Sequence, residues 1–125
     1  MSYKTFDQLK KKKENVPQVS IPLTNQNHLE KLLKTGKIVI VKCWAKWCQP
    51  CIRIAGDYEK LAAKYPNIIF CKDNIDHDES YHRDRVTAVP SFFFYANGNI
   101  TKIMGADWNI IEDHMQKLLN IPVTH

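Results

Sequence analysis

The 125-residue sequence predicts an α/β domain with a mixed central sheet and helices on both of its faces. Three observations predict it. Short β-branched runs alternate with stretches of helical spacing, in the order β-α-β-α-β-α-β-β-α. The last two strand segments flank Asn97-Gly98, the strongest short hairpin signal, so an antiparallel pair is added to the alternating units. The run Ile38-Val39-Ile40-Val41 shows no polar alternation, as expected of a strand covered on both faces.

Each element has its own signal. Thr5 and Gln8 form a capping box for a short helix from about Phe6 to Lys13, and Pro17 lies beyond its end. Val19-Ser20-Ile21 alternates and reads as a short strand ending by Pro22. Asn25 or Asn27 caps a helix carrying Leu29, Leu32 and Leu33, closed by Gly36. The strand from Ile38 runs into Lys42-Cys43-Trp44-Ala45, and a loop then leads to Pro50, a residue tolerated in a first helical turn. Ile54, Tyr58, Leu61 and Ala62 have helical spacing up to Lys64, and Pro66-Asn67 breaks it. Ile68 to Cys71 is a second buried strand, and Asp73 to Arg85 is a polar loop with one short helix. Phe92 to Tyr95 and Ile100 to Met104 are the hairpin strands. Asp107 caps a last amphipathic helix with Ile110, Ile111, Met115, Leu118 and Leu119. Residues 1–17 form an N-terminal extension, and residues 18–125 form the domain.

Composition narrows the function classes. Hydrophobic residues make up 44% and charged residues 25%, the usual globular mixture, which excludes disordered and low-complexity chains. A chain this long builds a core without disulfides or metal. No apolar run approaches the ~20 residues of a membrane span. Nor does the start, Met1 to Phe6, resemble a secretory signal. A cytoplasmic location without membrane association is therefore expected. The formal charge is +5, and most of the excess is the run Lys10-Lys11-Lys12-Lys13. Without it, acidic and basic residues nearly balance, unlike the basic stripe of a nucleic-acid domain, so nucleic acid is not an expected partner. The lysine run reads as a solvated helix end or tail, with a nuclear-import patch as the alternative.

Four cysteines remain. Cys48 and Cys51 stand as Cys-x-x-Cys at a strand-to-helix junction. There the unpaired N–H groups and the helix dipole stabilise a thiolate on the first cysteine. The second, about one turn along, is placed to attack a mixed disulfide formed by the first.

In Trp44-Ala45-Lys46-Trp47-Cys48-Gln49-Pro50-Cys51, Lys72 with Asn74-Ile75-Asp76, Val89-Pro90-Ser91, Tyr95 to Gly98, and Gly105-Ala106, the sequence resembles the thioredoxin family. The likeness runs from about residue 18 to the end, in the family's order and spacing. It implies the thioredoxin fold, with four or five central strands, and a cis Val89–Pro90 bond. It further implies Cys48 as nucleophile and Cys51 as resolving thiol. Trp47, Gln49, Pro50, Ala88, Val89, Pro90, Gly105 and Ala106 would form the substrate-facing surface, with Trp44 packed beneath. Protein disulfides are the implied substrates, a thioredoxin-reductase-like enzyme using NADPH the implied electron donor, and a monomer the expected state. No cofactor is expected.

The sequence departs from the family in several places. Gln49 stands where a glycine is usual, Ala88 where a glycine precedes the cis-proline by two, and Gly56 where a proline usually kinks the helix. The largest departure is Lys42, where the family places a buried aspartate that assists proton transfer. The family's nearby lysine is Lys72, so two lysines would face each other, a costly pair if both are buried and charged. Asp73 is a candidate to relieve it, or one lysine turns outward. Both lysines are candidates for tuning the cysteine pair, with a charged Lys42 favouring the thiolate and a neutral Lys42 acting as base.

The remaining candidates have plainer readings. Cys43 and Cys71 lie in apolar strand runs and read as buried core thiols that could face each other. Cys43, Cys48 and Cys51 also match an iron–sulfur spacing, with Cys71 as a possible fourth ligand. The strand placement of Cys43 argues against that cluster, and no second Cys-x-x-Cys supports zinc, so no metal is expected. His77 and His82 read as part of a solvated acidic helix. The expected function is thiol–disulfide exchange on protein disulfides through Cys48 and Cys51. The alternative is a binding or adaptor protein of the same fold with secondary redox activity, suggested by Gln49, Lys42 and the N-terminal extension.

Overall fold

The structure, a computed structural model, describes residues 16–119. The expected helix at Phe6 to Lys13 and the lysine run lie outside the described residues. Strands β1 (Ile21–Pro22), β2 (Val39–Trp44), β3 (Ile69–Asn74), β4 (Ser91–Ala96) and β5 (Asn99–Met104) form one sheet in the order β1-β3-β2-β4-β5. The pairs β1/β3 and β2/β3 are parallel, and β2/β4 and β4/β5 are antiparallel. Helices α1 (Gln26–Leu33), α2 (Gln49–Lys64) and α3 (Trp108–Leu119) flank it, with a 3₁₀ turn at Arg83–Arg85. This is the mixed sheet expected from alternating units followed by a hairpin.

Local chemistry accounts for the elements. Asn25 caps α1, its side-chain oxygen accepting the N–H of His28 at 3.0 Å. Asp107 does the same before α3, accepting from Asn109 at 3.1 Å and Ile110 at 3.4 Å. The β4–β5 turn uses Asn97 and Gly98 with φ of 54° and 79°, the pair of positive angles that a two-residue hairpin requires. The helix α2 runs through Gly56 without a break.

Strand alternation divides the core into two layers. Ile40, Phe70, Phe92 and Phe94 pack against Ile54, Tyr58, Leu61 and Ala62 of α2 and Ile111 and Met115 of α3. On the opposite face Val39, Val41, Cys43, Cys71, Phe93 and Tyr95 pack with Leu29 of α1. Cys43 and Cys71 are buried free thiols on this second face, but β-register pairs Cys43 with Asp73 and Cys71 with Val41, so the two are not opposite each other. Burial drives both thiols upward, Cys71 to about 12, which keeps them protonated.

Two boundaries differ from the sequence-based expectation. Parallel pairing with Lys42–Trp44 carries β3 on to Asn74, past the expected end at Cys71. The first strand is Ile21–Pro22 rather than Val19 to Ile21, because Val19 and Ser20 donate their N–H groups to Glu59 instead of to a strand.

Candidate active site

Trp44 ends β2, and after three intervening residues the chain turns into α2 with Cys48 as its N-cap. The Cys51 N–H donates to Cys48 Sγ at 3.2 Å, and Pro50 occupies the first turn, where no intrahelical N–H is needed. Cys48 and Cys51 form a disulfide with their Cα atoms 5.3 Å apart. Cys48 is 3% exposed and Cys51 2%, in a small apolar cluster with Ala45, Trp44, Ile75 and Val89. A donor aimed at Cys48 Sγ and a helix N-terminus both favour negative charge on that sulfur in the reduced form.

The second wall of the site is the chain entering β4. Val89–Pro90 is cis, as the family resemblance implies. Cys48 Sγ lies 3.5 Å from the carbonyl oxygen of Val89. Ser91 donates its hydroxyl to Ala88 O at 2.7 Å, and Gly105 donates its N–H to Pro90 O at 2.8 Å. Gly105 has φ of 106°, which a side chain would strain, so glycine suits the turn that brings this segment beside Pro90. Trp47 is 65% exposed, and its indole N–H donates to Asp76 at 2.9 Å. Gln49, Ala88 and Gly105 are exposed, and Pro50, Val89 and Ala106 are half-buried. The sequence-derived surface residues lie on three segments: the start of α2, the entry to β4 and the β5–α3 turn.

Lys42 and Lys72 are register partners on neighbouring strands, both on the sheet face that packs against α2. Lys42 is buried, with its Nζ 4.8 Å from the centre of the Tyr58 ring. Tyr58 donates its hydroxyl toward the carbonyls of Ile40 (3.1 Å) and Cys71 (2.6 Å). Burial and, to a lesser extent, Lys72 lower the Lys42 ammonium and Glu59 opposes them, leaving it at about 8.

The countercharge is not Asp73. Alternation turns Asp73 to the other face of the sheet, where it binds His82. Glu59 of α2 serves instead, 3.6 Å from Lys72 Nζ. Burial alone would raise the Glu59 carboxyl, but the Ser20 hydroxyl, the Ser20 and Val19 N–H groups and Lys72 outweigh it and hold the carboxyl below its ordinary value. Lys72 also donates to Gln18 at 2.9 Å and is partly exposed, so it is the lysine that turns outward.

His82 is likewise placed differently from expectation. No helix spans His77 to His82, and His82 is fully buried, with Asp73 on one ring nitrogen and Tyr95 on the other. Neither Glu59 nor His82 stands in a motif, and both partnerships join residues far enough apart that only the fold reveals them. Among the described residues no group of three or more His, Cys, Asp or Glu side chains could hold a metal ion. No helix of the described residues is long and apolar enough to cross a membrane.

Known proteins agree with this geometry. The family model described as Thioredoxin matches residues 19–117. A thioredoxin of Coprinus comatus is 35% identical over 101 residues, covering 78% of this chain and 95% of that protein. Thioredoxin 1 of Plasmodium falciparum is 30% identical over 97 residues, covering 76% and 93%. The X-ray structure of Fasciola hepatica thioredoxin superposes with a TM-score of 0.72 at 30% identity, covering 78% of this chain and 98% of that one.

Proposed function

The chain belongs to the thioredoxin family, and from that premise we propose how its own residues carry out thiol–disulfide exchange. It is a thiol–disulfide oxidoreductase that acts on protein disulfides. In the proposed sequence of steps the reduced Cys48 thiolate attacks one sulfur of a substrate disulfide. A Cys48–substrate bond forms, and the other substrate sulfur leaves as a thiolate and takes up a proton. Cys51 then loses its proton and attacks Cys48 Sγ. The Cys48–Cys51 disulfide forms, and the second substrate sulfur leaves and is protonated. Two electrons have passed from the protein to the substrate.

The observation that carries this reading is the Cys48–Cys51 pair at the N-terminus of α2 with the Val89 carbonyl 3.5 Å from Cys48. Trp47, Gln49, Pro50, Ala88, Val89, Pro90, Gly105 and Ala106 are assigned to substrate contact on the family resemblance, supported by the contact of Val89 with Cys48. Insulin reduction driven by dithiothreitol tests it. The wild type accelerates precipitation, and Cys48→Ser falls to the rate of dithiothreitol alone. A Cys48→Ser variant as fast as wild type, or a wild type no faster than background, refutes it; the latter result points to the adaptor reading.

Lys42 and Lys72 are proposed to tune the pair. At neutral pH a lysine titrating at about 8 is still mostly charged, and its charge favours the thiolate form. The dithiol is thereby stabilised, and the potential is more oxidising than with an aspartate at this position. Lys42→Asp should have a more negative reduction potential than wild type, and an unchanged value ends this assignment. The remaining parts of the proposal are a monomer in the cytoplasm, with nuclear entry through Lys10 to Lys13, and a reductase of the thioredoxin-reductase class as electron donor. Two buried free thiols, Cys43 and Cys71, suit a reducing compartment.

A further inference from the structure

Between β3 and β4 the chain makes a 16-residue crossing, residues 75–90, whose only regular structure is one 3₁₀ turn. Loops of this length need internal anchors to hold one conformation. Both ends of this one matter to the site: Asp76 receives the Trp47 indole N–H, and Val89 lies against Cys48. The ends themselves are fixed, Ile75 N–H donating to Trp44 O at 3.0 Å and Pro90 O accepting from Gly105. Between residues 75 and 89 a single side chain is buried, and it is His82.

His82 makes every polar contact that its ring allows. Its Nδ1 lies 2.7 Å from Asp73 Oδ2, and Nε2 lies 2.7 Å from the Tyr95 hydroxyl. The backbone N–H of His82 donates to the same Asp73 oxygen at 3.2 Å. An ionised Asp73 only accepts, so Nδ1 carries the hydrogen. In the neutral ring Nε2 then accepts from the Tyr95 hydroxyl. Phe93 lies 4.5 Å from the ring centre and Tyr81 packs edge-on at 5.1 Å. Asp73 belongs to β3 and Tyr95 to β4, so one side chain ties the middle of the crossing to two strands that are not neighbours.

From this buried Asp73–His82–Tyr95 chain we propose that His82 is a positioning residue for protein-substrate recognition, holding the crossing so that Asp76, Trp47 and Val89 form a continuous rim around Cys48. The inference rests on the assignment of Cys48 as the attacking sulfur and adds the residue that shapes the surface beside it. A folded protein disulfide needs that rim. A small disulfide that reaches Cys48 without touching it does not.

The test compares two substrates on the full chain: insulin and the small aromatic disulfide dithiobis-nitrobenzoate. His82→Leu should raise KM for insulin about tenfold, the effect of one lost contact of hydrogen-bond strength, with kcat and the small-disulfide rate within about twofold of wild type. His82→Gln, which keeps a donor and an acceptor, should recover much of the loss. Tyr95→Phe removes a single hydroxyl and carries the same comparison if His82→Leu does not fold. The proposal is overturned if both substrates slow in parallel, or if folded variants use both at the wild-type rate. A wild type inactive toward both substrates would instead refute the assignment of Cys48.

Discussion

The two faces of the sheet treat buried charge in opposite ways, although the residues concerned are adjacent in sequence. Lys42 and Lys72 point toward α2, whereas Cys43 and Asp73 point toward α1 and the long crossing. On the second face Asp73, His82 and Tyr95 satisfy one another within 2.7 Å at each link. On the first, Glu59 is occupied by Val19, Ser20 and Lys72, and among the described residues Lys42 has no ion pair or hydrogen bond for its Nζ, only the Tyr58 ring. A complete polar network holds a structure in place, and an incompletely compensated charge costs stability that function can use. Removing a partner should therefore weaken one face, and removing the charge should strengthen the other.

The largest expected effect is on the satisfied face. Asp73→Ala leaves two buried donors of His82, the ring Nδ1–H and the backbone N–H, without their acceptor and should lower unfolding free energy by about 3–5 kcal/mol in urea titrations, from about 1–3 kcal/mol for each. A loss below about 1 kcal/mol would mean that the chain carries little of the loop's stability.

Next in size is Lys42→Met, with the opposite sign. A lysine titrating at about 8 in the fold and 10.5 when unfolded takes up its proton more readily unfolded. Wild-type stability from this group thus rises between pH 8 and 10.5, and below pH 8 the full penalty applies, about 3 kcal/mol. The variant should gain up to that amount at pH 7, and the gain should shrink as the pH is raised toward 10.5. A gain that does not change with pH would refute the burial account. The Lys42 contribution to the reduction potential should fade earlier, as the pH passes through about 8, because the charge in the folded protein is lost there.

Tyr58→Phe is expected to cost less, about 1–2 kcal/mol in thermal or urea unfolding, because it leaves the Ile40 and Cys71 carbonyls without their hydroxyl donor. The smallest effect is expected at the exposed rim. Trp47→Phe loses the Asp76 bond in solvent and should change stability by no more than about 0.5 kcal/mol.

The contrast also explains how much could be read from sequence. Elements carried by local signals were legible: the β-branched run of β2, Asn97-Gly98 at the hairpin, Asn25 and Asp107 as caps, and Cys48 and Cys51 at a strand-to-helix junction. The facing of Lys42 and Lys72 was implied by the family resemblance, and the strand register pairs them. Its resolution was not, because Glu59 reaches Ser20 across 39 positions, and nothing local to either residue reveals the pairing. From sequence His82 reads as a solvated helix residue because its neighbours, Asp78, Glu79, Arg83 and Asp84, are polar. Only the β3–β4 crossing shows that this one position turns inward.

The most direct test of the central claim, that Cys48 attacks and Cys51 resolves, is to map the mixed disulfide. Cys51→Ser, reduced and mixed with a disulfide-containing protein substrate, should accumulate a one-to-one adduct. Peptide mass spectrometry should place its linkage at Cys48, and Cys48→Ser should form none. An adduct linked through Cys51, Cys43 or Cys71, or equal trapping by both variants, would contradict the account.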